Sequence, residues 1–155
     1  MDDRTLTGLR FVASQLAFVV GLLHVGLGAV NWLRWVGAGF LVPRDLRWPV
    51  FVASGLAVLV GIYRSREAAD RRPYYAAGVV AMLGYAVGYF AWHLSGHRPL
   101  LLLGPGAATE TVTVGWFLDH LFAGPVETVA VFAELFAAAA LLALLLADRP
   151  SRTAG

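Results

Sequence analysis

The chain contains no cysteine and no lysine. The first absence excludes disulfides and thiolate metal centres. The second excludes Schiff-base chemistry, a retinal linkage included. Charge is also scarce. Only 14% of the 155 residues are Asp, Glu, Lys or Arg, where a soluble domain carries about a quarter. Also missing are a nucleophile motif, a phosphate-binding loop, a nucleotide fingerprint and a metalloprotease signature. These absences lean the reading away from an enzyme.

What is present is apolar: 59% hydrophobic residues and a mean hydropathy of +0.69. The charges are segregated. Twenty-three uncharged residues separate Arg10 from Arg34, and twenty-five separate Arg72 from Arg98. A bilayer core of about 30 Å needs about twenty helical residues, so both runs are predicted to span. Trp48 to Tyr63 is shorter, but Arg47 and Arg64 at its ends can snorkel to the headgroups. Val126 to Ala147 is Ala- and Leu-rich and holds one charge, Glu134. The expectation is a single all-α domain over 1–155, a four-helix transmembrane bundle with spans at about 11–33, 48–63, 74–97 and 126–147. The first run is too long for a signal h-region and follows Asp2 and Asp3, so it is read as a retained helix.

All twelve basic residues are arginines, and they lie at the ends of the runs. Arg4, Arg10, Arg64, Arg66, Arg71, Arg72, Arg149 and Arg152 fall on one side of a four-span topology. Arg34, Arg44, Arg47 and Arg98 fall on the other. Eight against four places both termini in the cytoplasm of a multi-pass cell-membrane protein. The same placement explains the pI near 9.4 without nucleic acid as a partner. The implied partners are the lipid bilayer and other membrane helices, as a homo-oligomer or in a larger complex. The 98–126 connection is long, external and apolar. Pro99 and Gly104-Pro105-Gly106 break it, and a short interfacial helix is expected at about 114–123. There Trp116, Phe117, Leu121 and Phe122 meet the membrane while Asp119 and His120 face water.

Small and polar residues form stripes at helical spacing: Ser14, Ala17, Gly21, His24, Gly28 and Asn31 in the first run, and Ala53, Ala57 and Gly61 in the second. The third run has Ala77, Ala81, Gly84, Gly88, Ala91 and Ser95. These read as packing faces. Ionisable groups among them are costly in a span. At about 1.5 Å rise per residue, His24 lies about 15 Å below the outer end of its helix, Tyr89 about 13 Å, Glu134 about 10 Å and His93 about 7 Å. Two layers follow: a deep one of His24, Tyr89 and Glu134, and a shallow one of Asn31, His93, His97, Asp119, His120 and Glu127. His24 and Glu134 are expected to face each other, since each alone would be expensive in lipid.

Three uses of this polar zone stay open. His24, Asn31, Tyr89, His93, Glu127 and Glu134 are candidates for a proton or ligand site, with no catalytic residue among them. His24, His93, His97 and Glu134 are candidate transition-metal ligands, with His93 and His97 spaced for one helix face and Gly96 and Pro99 threatening helicity just there. His24 and His93 are the candidate axial pair of a haem. The leading reading is a non-enzymatic accessory or scaffold subunit with a His/Glu polar zone in its outer half. The alternatives are a metal- or haem-binding redox membrane protein and a small proton-coupled carrier acting as an oligomer.

The segment "GYFAWH" at 88–93, the long external loop, the Asp119-His120 pair and Glu134 resemble uncharacterised small four-helix membrane proteins of haloarchaeal type. The likeness spans most of the chain and implies the same four-span fold. That group has no known activity, so the resemblance assigns no catalytic residue.

Overall fold

Each apolar run becomes a helix in the computed structural model, which describes residues 1–95, 97, 101, 103 and 113–148. Helix α1 covers Asp3–Gly37, α2 Arg47–Glu67, α3 Arg72–Leu94, α4 Val114–Leu121 and α5 Pro125–Ala147. Four of these, all but α4, are long and apolar enough to cross a membrane. The ends are set locally. The Asp2 carboxylate accepts from the Thr5 N–H at 2.8 Å to open α1, and the Thr113 hydroxyl accepts from the Trp116 N–H at 3.1 Å to open α4. Prolines occupy the first turns of α3 and α5, where the missing N–H costs nothing. At 35 residues, α1 is about 52 Å long, longer than a bilayer core is thick.

Helix α1 packs against α2 on one side and α5 on the other, and α5 packs on α3. The ring closes through a much slighter seam between α2 and α3. Ala13, Ala17, Val20, Met82, Ala137, Ala138, Leu141 and Leu144 form the core. Outward faces carry Phe18, Leu22, Val60, Val80, Val87, Phe136 and Leu146, all exposed. An apolar rim around a small-residue core is how a spanning bundle meets lipid.

The α1 stripe divides between two neighbours. A Cβ on Gly28 would come within 2.7 Å of the Trp48 carbonyl, one on Gly21 within 3.2 Å of the Gly55 carbonyl, and one on Gly55 within 2.8 Å of the Gly21 carbonyl. Backbones of α1 and α2 therefore touch, and Gly55 rather than Ala53, Ala57 or Gly61 is the α2 side of that contact. Of the α3 stripe only Ala81 packs on the core. Gly84 and Gly88 are exposed and a Cβ at either would meet nothing. Helix α3 instead buries Tyr75, Met82, Ala86 and His93, because its aromatic face has more area to bury against α5 than its glycines do.

At one end of the bundle, Asp148 accepts from Arg10 Nη2 at 2.8 Å and from the Tyr75 hydroxyl at 3.0 Å, tying α1, α3 and α5 together. Partial burial pushes the Asp148 pKa up. The hydrogen bonds from Arg10 and Tyr75 pull it down further, and the net value lies below the ordinary 3.8. At the other end, Asp45 is buried and chelated by Arg47 at 2.6–3.0 Å. The Arg47 guanidinium lies 3.1 Å over the Trp92 ring. Two backbone bonds, Leu46 N–H to the Leu101 carbonyl at 3.0 Å and Leu103 N–H to the Arg44 carbonyl at 2.6 Å, dock part of the long connection on the first one. The Gly104-Pro105-Gly106 break and the other residues at 100, 102 and 107–112 lie outside the described residues, as do Gly96, Arg98, Pro99, Arg149 and Arg152.

Candidate functional site

His24 sits in the middle of α1, on the face turned away from lipid, and is 4% exposed. Its Nδ1 lies 2.9 Å from the Val20 carbonyl one turn back. A carbonyl only accepts, so Nδ1 carries a hydrogen and Nε2 is the nitrogen left to face the core. There it meets Glu134 of α5, with Nε2 3.5 Å from Oε1 and the carboxyl 3% exposed. The pair expected from the sequence is thus in contact, at a distance just beyond a strong hydrogen bond. The second carboxyl oxygen, Oε2, is buried with no hydrogen-bond partner.

Aromatic rings from the two remaining long helices enclose the imidazole. Tyr85 of α3 stacks on it at 3.7 Å with 21° between planes, and Phe51 of α2 meets its edge at 4.7 Å. The deep layer therefore contains Tyr85, where the sequence reading put Tyr89. Both lie on the Tyr85-Tyr89-His93 stripe of α3. Depth alone favoured Tyr89, but the bundle's rotation brings the residue one turn deeper onto His24. The Tyr85 and Tyr89 hydroxyls are, like Glu134 Oε2, buried without a hydrogen-bond partner.

Tyr89 belongs to a second group nearer the helix end. Its ring lies 4.1 Å from His93, whose Nδ1 is 2.9 Å from the Tyr89 carbonyl. His120 on α4 is held in the same way, Nδ1 to the Trp116 carbonyl at 2.9 Å. His93, His97 and His120 form a triangle with ring centroids 5.2, 5.7 and 5.7 Å apart. Trp116 packs on His120 at 3.8 Å, and Phe117 stacks on Phe90 at 5.2 Å.

Two expectations change here. Helix α3 ends at Leu94, so His93 and His97 do not share a helix face. His97 has φ 62° and its N–H on the Trp92 carbonyl at 3.1 Å, and its ring lies 5.2 Å from that of His93. His120 does not face water. Positions 116, 117, 120 and 121 share one side of α4, and that side lies on the end of α3, leaving Asp119 and Leu118 exposed.

Asn31 and Glu127 do not join the buried groups. Asn31 Nδ2 donates to the Leu27 carbonyl at 2.8 Å and its Oδ1 accepts from Arg34 at 3.1 Å, local bonds that keep it at the α1 surface. Glu127 is exposed in the first turn of α5, where a carboxylate meets the helix N-terminus favourably, and its carboxylate folds back over Gly124. The proposed metal set also divides, with His24 and Glu134 in one group and His93 and His97 in the other. Among the described residues, no three His, Asp or Glu side chains are arranged to hold a metal ion. An axial role for His24 in a haem fails on space. Its Nε2 is turned to Glu134, and Tyr85 and Phe51 cover the ring.

Comparison with known proteins finds no matching family model, no similar curated protein and no similar solved structure. The chemistry therefore rests on the side chains. With Nδ1 committed to Val20, one proton between Nε2 and Oε1 gives a net-neutral pair whichever atom carries it. Low dielectric makes that neutral form the resting state of the pair. Asp45, Arg47 and Trp92, which brace the histidine-bearing end, carried no periodic signal because Asp45 and Arg47 lie at the end of a loop and Trp92 lies on another helix.

Proposed function

We propose that this chain is a non-enzymatic multi-pass membrane subunit that takes up and releases protons at the His24–Glu134 pair, with both termini in the cytoplasm. The observation that carries the reading is the buried 3.5 Å pair itself, whose second carboxyl oxygen has no partner. A carboxyl retained only as an interhelical tie is expected to use both oxygens, since a buried unpaired oxygen costs about 1–3 kcal/mol. Tyr85, Tyr89 and His93 supply titratable groups at one-turn intervals from the pair toward His97 and His120. Such intramembrane His and Glu residues mark proton paths elsewhere. As a small bundle, the chain acts with other membrane helices, and the unpacked Gly84/Gly88 face of α3 supports a copy of itself as the partner.

Infrared difference spectroscopy on the reconstituted chain tests this. Between about pH 5 and about pH 8, the range in which His-centred sites titrate, a protonated-carboxyl band should appear or shift. Glu134→Gln should abolish that change and leave the helical amide bands intact. A spectrum unchanged with pH, or a carboxyl change that persists in Glu134→Gln, refutes the proposal and leaves the pair as a tie between α1 and α5.

A further inference from the structure

The slight α2–α3 seam is open. Between these helices lies a cleft of about 620 Å³, reaching from the Arg10–Asp148 end of the bundle to Ser54 and Met82. That volume falls within the roughly 300–1,000 Å³ of small-molecule sites. Its walls carry small residues, Ala57 and Gly61 on α2 and Ala77 and Ala81 on α3, with Ala13, Ser14 and Ala17 of α1 and Leu141 and Leu144 of α5 as the floor. A Cβ on Gly61 would meet nothing within 4 Å, so the space begins at the backbone.

The rim has a different character. Arg10, Arg66 and Arg71 line the cleft at the end where the three helices gather on Asp148. Three guanidinium groups thus stand against one carboxylate. Arg10 uses Nη2 on Asp148, but its Nε is buried and without a partner. Arg71 donates only to the Ser65 and Arg66 carbonyls, and among the described residues neither Arg66 nor Arg71 pairs with a carboxylate. A largely apolar slot with a cationic mouth matches an anionic amphiphile: hydrocarbon inside, phosphate at the rim.

We propose that the α2–α3 cleft holds one hydrocarbon chain of an anionic phospholipid, with its phosphate on Arg66 and Arg71, beside the Arg10–Asp148 pair. The lipid acts as the packing that α2 and α3 do not give each other. Helix association in a bilayer depends on van der Waals packing rather than on a hydrophobic force, so an occupied cleft is what holds this seam. The inference stands apart from the proton reading, whose groups lie beyond the far end of the cleft.

The full-length chain, purified in detergent and incubated with phosphatidylglycerol or phosphatidylcholine of identical tails, is read by native mass spectrometry. The wild type should retain one phosphatidylglycerol, preferred on the order of tenfold, since each arginine near a headgroup favours an anionic lipid. Arg66→Gln should reduce that preference severalfold. Gly61→Leu should fill the slot and lose the adduct while its circular dichroism stays helical. Inorganic phosphate should not displace the lipid, because it lacks the chain. Equal retention of the two lipids, full displacement by phosphate, or a folded Gly61→Leu protein with wild-type occupancy overturns the proposal. If Gly61→Leu does not fold, the headgroup preference of Arg66→Gln decides alone.

Discussion

Coupling between His24 and Glu134 can be measured with a double-mutant cycle, and the structure sets its size. Glu134→Leu leaves His24 Nε2 buried without a hydrogen-bond partner, which costs about 1–3 kcal/mol. His24→Leu strands the Glu134 carboxyl in the same way and also removes the 3.7 Å stack on Tyr85. Replacing both residues by leucine strands neither polar partner, so the double variant should be less destabilised than the two single costs added together. The lost stack is common to the His24 single and the double variant, so it cancels. A coupling of about 1–3 kcal/mol is expected. Glu134→Gln places an amide N–H donor near Nε2, and at 3.5 Å that contact belongs with the average membrane-helix hydrogen bond of about 0.6 kcal/mol, so this variant should be nearly neutral. Reversible unfolding in mixed micelles, followed by circular dichroism, gives all four stabilities. Additivity within about 0.3–0.5 kcal/mol would refute the reasoning, because it would mean that the two side chains do not interact in the folded protein.

Other outcomes follow from the same geometry. Gly28→Ala places a Cβ 2.7 Å from the Trp48 carbonyl, and the resulting separation of α1 from α2 should cost about 1–3 kcal/mol, whereas Gly84→Ala, which meets nothing, should be neutral or slightly stabilising in the same unfolding assay. The Asp148 carboxyl titrates below its ordinary 3.8, so its contribution is complete above that value and is lost as pH falls through the lower folded-state pKa. Thermal stability of the wild type should therefore fall more steeply in acid than that of Asp148→Asn, and parallel acid limbs would remove the Arg10–Asp148–Tyr75 tie from the account. Reporter fusions after Ala69 and at the C-terminus should both report cytoplasm, and one at Thr109 the outside; a cytoplasmic signal at Thr109 would invert the proposed orientation.

Much of this protein is written in local sequence. Run length and the arginines that bound each run determine four helices, since an uncharged stretch of about twenty residues has few alternatives in a bilayer. The unusual status of His24 and Glu134 is equally legible, because a titratable group inside such a run needs a partner wherever the run is placed. Their pairing followed from having few other groups at that level. Rotation about each helix axis is another matter. Helix α3 carries two stripes of the same period, one of Ala and Gly and one of Tyr75, Met82, Ala86 and His93, and periodicity cannot rank them. Packing on α5 chose the second, which put Tyr85 rather than Tyr89 on His24 and left Gly84 and Gly88 outside. The histidine triangle needed the end of α3 at Leu94 and the docking of α4, tertiary features that spacing does not encode. The cleft is the clearest case of tertiary decision. Ala57, Gly61, Ala77 and Ala81 read as packing residues one helix at a time, and only the assembled ring, with α1 and α5 committed to their closer neighbours, leaves them facing a space.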